Sequence, residues 1–175
     1  MIRGRWIESC RTMLSPNLAI ARAIALLVPA LLLAGAYVSQ YGFGLYPCKM
    51  CWWQRYAHFA VLVPALLAFV ARGELRLWLV RLAGVLLLIA AMLGGYHAGV
   101  EYGWWEGITT CATTAAAGGD PLEAILNAPI VRCDTAPWDL FGISLAGWNF
   151  LISGAAALAV LILSAQSGCK GVLGS

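Results

Sequence analysis

Two cysteines separated by two residues, Cys48-Lys49-Met50-Cys51, stand at the head of an apolar run. Arg55 and His58 follow Cys51 by four and seven residues. Such a pair suits thiol–disulfide exchange or zinc ligation and by itself does not choose between them. No βαβ pattern surrounds it, so a thioredoxin fold is excluded. Pro47 precedes the pair and a helix is expected to start there. A thiolate at a helix N-terminus is stabilised by the helix dipole and the free N–H groups, which suits an exchange-active cysteine. At 100° per residue Cys48, Cys51, Arg55 and His58 fall within an arc of about 80° on one helix face. A guanidinium inside an apolar segment is costly and usually functional. A nearby thiolate or an electron-rich oxygen would offset that cost for Arg55, and the plainer alternative is that it snorkels to the interface.

A second pair of cysteines, Cys111 and Cys133, lies 22 residues apart in a less apolar stretch. Between the pairs, His97 and Glu101 share a helix face at i, i+4. His97 suits proton handling near neutral pH or a hydrogen bond to a ligand, against the bland alternative of a satisfied interface histidine. Cys10 and Cys169 lie near the two ends of the chain and read as inert thiols.

The elements that must position these residues are membrane helices. Of 175 residues, 62% are hydrophobic and 11% charged, whereas a soluble domain carries about 25% charge. A soluble body this small has no interior large enough for that much apolar surface. Four apolar stretches approach the ~20 residues a spanning helix needs: 18–40, 52–71, 76–100 and 144–164. The expected fold is therefore an all-α membrane protein, a bundle of four transmembrane helices forming one domain over 1–175. Pro29 and Pro64 fall inside spans, where neighbouring groups satisfy the freed carbonyls. The loops expected on the far side are 41–51, which is short, and 101–143, which is long. Within the long loop, Pro121–Asn127 reads as a short amphipathic helix capped by Asp120, with Leu122, Ile125 and Leu126 on one face.

Lysine and arginine set the orientation. One side holds Arg3, Arg5, Arg11, Arg22, Arg72, Arg76, Arg81 and Lys170, the other Lys49, Arg55 and Arg132. The split of eight to three places both termini in the cytoplasm and all four central cysteines outside. Six of the eight acids and an aromatic belt including Tyr46, Trp52, Trp104 and Trp148 fall on that outer side. Ala34-Gly35-Ala36 would suit signal-peptide cleavage, but the preceding run is long for a signal core and Arg22 interrupts it. The net charge of +3 is small and scattered, so no nucleic-acid partner is expected.

Pro47-Cys48-x-x-Cys51-x-x-x-Arg55 at the start of the second span, Cys111 and Cys133 in the second outer loop, and Trp138-Asp139-Leu140-Phe141-Gly142 beyond them together resemble the DsbB family. Its members are bacterial inner-membrane proteins that reoxidise the periplasmic thiol oxidase DsbA and pass its electrons to quinone. The resemblance spans all four helices in order. It implies a protein-disulfide:quinone oxidoreductase supporting disulfide bond formation, with a long periplasmic loop between helices 3 and 4. It also implies Cys48, Cys51, Cys111 and Cys133 as the redox centre, with Cys111 and Cys133 starting as a disulfide. A DsbA-like protein would be the partner and ubiquinone or menaquinone the acceptor, with Arg55 and His97 on the quinone side and no metal. His97 stands near the position of a ligand-side histidine of the family. VKOR-like proteins do related chemistry on four helices but carry their Cys-x-x-Cys late in the helix order. The rival readings are a disulfide-stapled or Cys₄ zinc scaffold and a small cytochrome with His58 and His97 as axial ligands.

Overall fold

A computed structural model describes residues 15–108, 112–113 and 130–167. Cys10, Cys111, Cys169 and the expected helix over Pro121–Asn127 lie outside the described residues. Four helices organise the rest: α1 (Pro16–Phe43), α2 (Lys49–Val70), α3 (Gly73–Glu101) and α4 (Leu145–Gln166). All four are long and apolar enough to cross a membrane. α1 and α3, at 28 and 29 residues, rise about 42 Å at 1.5 Å per residue, more than the ~30 Å of a hydrocarbon core. They therefore run past the apolar stretches that hydropathy delimits.

Helix starts follow local chemistry. Ser15 caps α1, its hydroxyl accepting from the Leu18 N–H at 3.2 Å, with Pro16 in the first turn. Gly44 closes α1 in the left-handed region at φ 69°. Ser144 caps α4 by accepting from the Gly147 N–H at 3.1 Å. Cys48 caps α2, its sulfur accepting from the Cys51 N–H at 3.3 Å. The cysteine pair therefore begins its helix as the sequence suggests, with the first cysteine just outside the helix and the second in its first turn. Pro29 and Pro64 sit inside intact helices.

Small residues face inward and large apolar ones face out. The larger core holds Leu18, Ala21 and Ala25 of α1, Val61, Ala65 and Ala68 of α2, Val80, Ala83 and Leu87 of α3, and Ala156, Ala157 and Val160 of α4. Leu31, Val63, Trp78 and Met92 are exposed. That inversion is what a lipid solvent permits, because close approach of helices replaces the hydrophobic drive found in water. A Cβ added to Gly84 of α3 would lie 2.9 Å from the Leu161 side chain. One added to Gly94 would lie 3.0 Å from the Phe150 backbone nitrogen.

The segment between α3 and α4 carries four two-residue strands: β1 (Ala112–Thr113), β2 (Ile130–Val131), β3 (Asp139–Leu140) and β4 (Ile143–Ser144). β1 pairs antiparallel with β2, and β3 with β4. The β3–β4 hairpin turns through Phe141 and Gly142, both at positive φ (55° and 75°), as a two-residue hairpin with matched twist requires. The Asp139 carboxylate accepts from the Gly142 N–H at 3.2 Å. This hairpin is the Trp138–Gly142 motif, and it delivers Ser144 to its capping position. On the other side of the loop, Trp105 packs over Gly99, where a Cβ would lie 2.0 Å from the indole, and donates to the Tyr96 carbonyl at 2.9 Å.

Candidate functional site

The α2 N-terminus, the C-terminal turns of α3 and the segment after β2 meet at one end of the bundle. Cys48 and Cys133, 3% and 5% exposed, are buried together with Met50 and Val100. The sulfurs of Cys48 and Cys133 and a ring nitrogen of His97 lie within 4.8 Å of one another. Cys48 donates to Cys51 across 3.2 Å. Cys48 is thus flanked by one sulfur from its own motif and one from 85 positions downstream. The second pairing could not be read from spacing. Cys111, the other loop cysteine, lies outside the described residues.

The helix-start argument applies unevenly to the pair. The Cys48 thiol is pushed up to about 12, first by the hydrogen bond it shares with Cys51 and then by burial, with the His97 contact pulling the other way. Cys48 therefore holds its proton in the dithiol form, and its position as helix cap does not make it an acid.

Below the sulfurs a cavity of about 250 Å³ opens between α1, α2 and α4. Its walls are apolar at Leu31, Leu33, Pro47 and Leu145, and polar at Gln54, Arg55, His58 and Asn149, with Cys51 and His97 also on its lining. Arg55 is 5% exposed. It donates to the Gln40 side-chain oxygen at 2.5 Å and to the Ala36 carbonyl at 3.0 Å. Its guanidinium also stands over the rings of Tyr37 and Trp52, at 4.7 and 5.0 Å. The compensation expected for this cation comes from neutral oxygens and aromatic faces, largely on α1. Such groups stabilise a planar guanidinium without neutralising it.

His97 is 1% exposed. Its Nδ1 meets the Gln54 amide nitrogen at 2.7 Å, and its Nε2 stands 3.5 Å from the Cys48 sulfur and 3.7 Å from a Glu101 oxygen. His58 Nε2 meets Asn149 Oδ1 at 2.8 Å, and Asn149 Nδ2 donates to Gln54 Oε1 at 2.6 Å. Both histidines are therefore already engaged by side chains of the bundle, in an arrangement unlike a pair of axial haem ligands. Gln54 and Asn149 escaped sequence reasoning. The available signal was polarity inside apolar spans: each is an amide in a stretch that otherwise faces lipid or packed helix.

Comparison with known proteins fits this geometry. Residues 19–163 match the family model described as disulfide bond formation protein DsbB. A disulfide bond formation protein B of Azoarcus sp. (strain BH72) is 36% identical over 152 residues, covering 77% of this chain and 84% of the relative. That of Acidovorax sp. (strain JS42) is 34% identical over 154 residues, covering 79% and 82%. That of Verminephrobacter eiseniae (strain EF01-2) is 32% identical over 184 residues, covering 98% and 95%. No solved structure matches the chain. With a four-helix membrane bundle, a helix-capping Cys-x-x-Cys and a family match over most of its length, this chain belongs to the DsbB family of disulfide bond formation proteins.

Proposed function

We propose that this protein is a protein-disulfide:quinone oxidoreductase of the bacterial inner membrane. It reoxidises a DsbA-like periplasmic thiol oxidase and passes the electrons to ubiquinone or menaquinone. The redox loops face the periplasm and both termini face the cytoplasm, in keeping with the eight-to-three division of basic residues. The observation that carries the reading is the position of Cys48, which stands within 4.8 Å of Cys133 and touches, at 3.2 Å, Cys51 on the lining of a largely apolar cavity.

Cys111 and Cys133 begin as a disulfide. A thiolate of the reduced partner attacks Cys111, and Cys133 leaves as a thiolate. Cys133 then attacks Cys48 of the Cys48–Cys51 disulfide, and Cys51 is the leaving group. The partner's second thiolate attacks the mixed disulfide and departs oxidised, and the freed Cys111 thiolate displaces Cys48 from Cys133. The partner has then lost two electrons and two protons, and Cys48 and Cys51 hold both as a dithiol. Every step is thiolate exchange, governed by access and leaving-group strength. Burial of Cys48 beside Cys133 restricts the attack to that one sulfur.

The cavity suits a quinone head: apolar walls for the ring and tail, and a fixed cation with polar side chains for the carbonyls. When bound, a quinone supplies a two-electron, two-proton acceptor. Arg55, held by Gln40 and Ala36, presents positive charge to developing negative charge on an oxygen. Cys51 lies on the cavity lining together with His97 and Glu101.

Purified protein assayed with a reduced DsbA-like substrate and a short-chain quinone tests this. Cys51→Ser is expected to abolish quinone reduction, and full activity in that variant would overturn the electron route. Arg55→His is expected to act mainly through a raised KM for quinone.

The cluster of Cys48, Cys133 and His97 also favours a second reading, a structural zinc site. Stoichiometric zinc in protein purified without chelator, with thiols that ignore added quinone, would establish it instead.

A further inference from the structure

The polar side chains inside the bundle form a directed chain. Asn149 Nδ2 donates to Gln54 Oε1, so Asn149 Oδ1 is an acceptor, and it receives Ser153 Oγ–H at 2.9 Å as well as His58 Nε2 at 2.8 Å. His58 must therefore carry its proton on Nε2. Gln54 Nε2 also reaches the Met50 carbonyl at 3.5 Å, which fixes the amide, since an oxygen there would face an oxygen. Gln54 then donates to His97 Nδ1, and the neutral His97 ring carries its proton on Nε2, facing Cys48 and Glu101. Two amides thus set the tautomers of two histidines on different helices.

The consequence falls on the other nitrogen of His58. With Nε2 protonated, Nδ1 of the neutral ring is a bare acceptor. It is buried and has no hydrogen-bond partner among the described residues. His58 is 4% exposed and lines the same cavity as Cys51 and Arg55. A buried acceptor without a donor costs free energy and calls for one. Donors such as Ser39, Tyr46 and Arg55 share the lining, but none of them bonds Nδ1.

We propose that His58 Nδ1 accepts a hydroxyl hydrogen of the reduced acceptor, so that this cavity holds a hydroquinone more tightly than the matching quinone. This rests on the quinone reading given above. The oxidised ring has only carbonyl oxygens, whose lone pairs would face the Nδ1 lone pair. The reduced ring offers an O–H to His58 while its oxygens still accept from Arg55. Gln54 and Asn149 are positioning residues in this account: they hold the tautomer and touch no reacting atom. One neutral hydrogen bond is worth roughly a fivefold preference. By the two-electron relation, a fivefold preference raises the potential of the bound couple by about 20 mV, which helps to draw electrons from the Cys48–Cys51 dithiol.

The test is equilibrium binding, read by quenching of tryptophan fluorescence, since Trp148 stands in the cavity wall. A short-chain ubiquinone and its hydroquinone are titrated separately into the full-length protein in detergent. The wild type is expected to bind the hydroquinone about fivefold more tightly. In His58→Gln the longer amide replaces Nε2 and keeps the Asn149 contact but supplies no group at Nδ1, so the preference should vanish. In His58→Asn the shorter side chain places its amide where Nδ1 was, so most of the preference should return. A wild type that binds both forms equally overturns the proposal and leaves the quinone reading standing, as does an unchanged ratio in His58→Gln. A wild type that binds neither form overturns both. The wild-type ratio decides the matter even if a variant fails to fold.

Discussion

The two halves of this bundle are packed on different terms. In the half remote from the Cys-x-x-Cys motif, seven of the twelve buried core residues are alanine, and the helices close on one another through small side chains. In the other half the same four helices enclose Gln54, Arg55, His58, His97, Asn149 and Ser153, nearly all linked to one another or to backbone oxygens. The first arrangement gains stability from close contact. The second costs desolvation at every group and is tolerable only because the groups are paired. What differs is that the polar half holds a cavity and the sulfurs, and two buried polar atoms without a hydrogen-bond partner among the described residues (His58 Nδ1 and a Glu101 oxygen) against one, Arg22 Nε, in the other half. A structure optimised only for stability would have extended the alanine packing through both halves.

The sharpest way to separate the halves is to remove chemistry without removing packing. Cys48→Ser keeps the helix cap, because a hydroxyl accepts from the Cys51 N–H as well as the sulfur does. Turnover with a reduced DsbA-like partner is expected to fall by at least about 10³-fold, since a hydroxyl does not substitute for a thiolate in exchange. The thermal midpoint in detergent should stay nearly unchanged. A large drop in the midpoint would mean that Cys48 is chiefly structural.

The converse substitution lies in the apolar half. Gly84→Leu drives a side chain into Leu161 and Val160, whose atoms lie 2.9 and 3.0 Å from the position of a Cβ. Overpacking of this kind costs about 1–3 kcal/mol. The melting temperature should fall while the KM for quinone of the folded fraction is unchanged. Gly94→Ala is the informative partner, because its Cβ would meet Asn149 Nδ2 at 2.9 Å as well as the α4 backbone. It should lower stability and weaken quinone affinity together. If the two glycines behaved alike, the division between the halves would lose its meaning.

How far the sequence anticipates this follows the same division. The four helices are legible because lipid selects long apolar runs, and Cys48 at a helix start is legible because Pro47 and the onset of hydropathy mark the boundary. Helix ends are less so: α1 continues to Phe43 and α3 begins at Gly73, because hydrogen bonding and capping, not hydropathy, terminate a helix once it leaves the hydrocarbon. The contacts between helices were not legible. Nothing local says that Gln54 faces His97, that Asn149 faces His58, or that Arg55 reaches back to Gln40. Each depends on helix rotation and crossing, which one chain's periodicity leaves open. Helix α2 shows why, since with Cys51, Gln54, Arg55 and His58 on it the apolar pattern has little direction of its own. The approach of Cys133 to Cys48 was hidden for the further reason that a loop of more than forty residues carries it.

A finer probe of the polar half is the proton on Cys48. Its thiol is held up to about 12 chiefly by Cys51, against an ordinary 9.0. A raised folded value means that the protonated form is favoured by folding. That contribution is fully present below pH 9.0 and is lost as pH rises toward about 12. The reduced protein should therefore lose stability across that alkaline window, and the variant Cys48→Ser should lose less. Cys51→Ala removes the largest cause, so the Cys48 thiolate absorbance near 240 nm should titrate at a lower pH than in the parent dithiol. A midpoint that does not move would assign the shift to burial alone.

The smallest effect expected is in the loop. Arg132 and Asp134 form a two-pronged ion pair, at 2.8 and 2.5 Å, one residue to either side of Cys133. Arg132 holds the Asp134 carboxyl at about 2, below its ordinary 3.8. A depressed folded value puts this pairing fully in place above pH 3.8, to be lost only as pH falls through about 2. Both partners are open to solvent, and exposed pairs add little to stability. Asp134→Asn should accordingly leave the thermal midpoint at pH 7 unmoved. Its effect, if the pair serves to aim the backbone around Cys133, should appear instead as slower disulfide exchange between the loop and Cys48, followed by quenching with acid and counting of thiols. Unchanged exchange would assign the placing of Cys133 to its burial with Cys48, Met50 and Val100 at that end of the bundle.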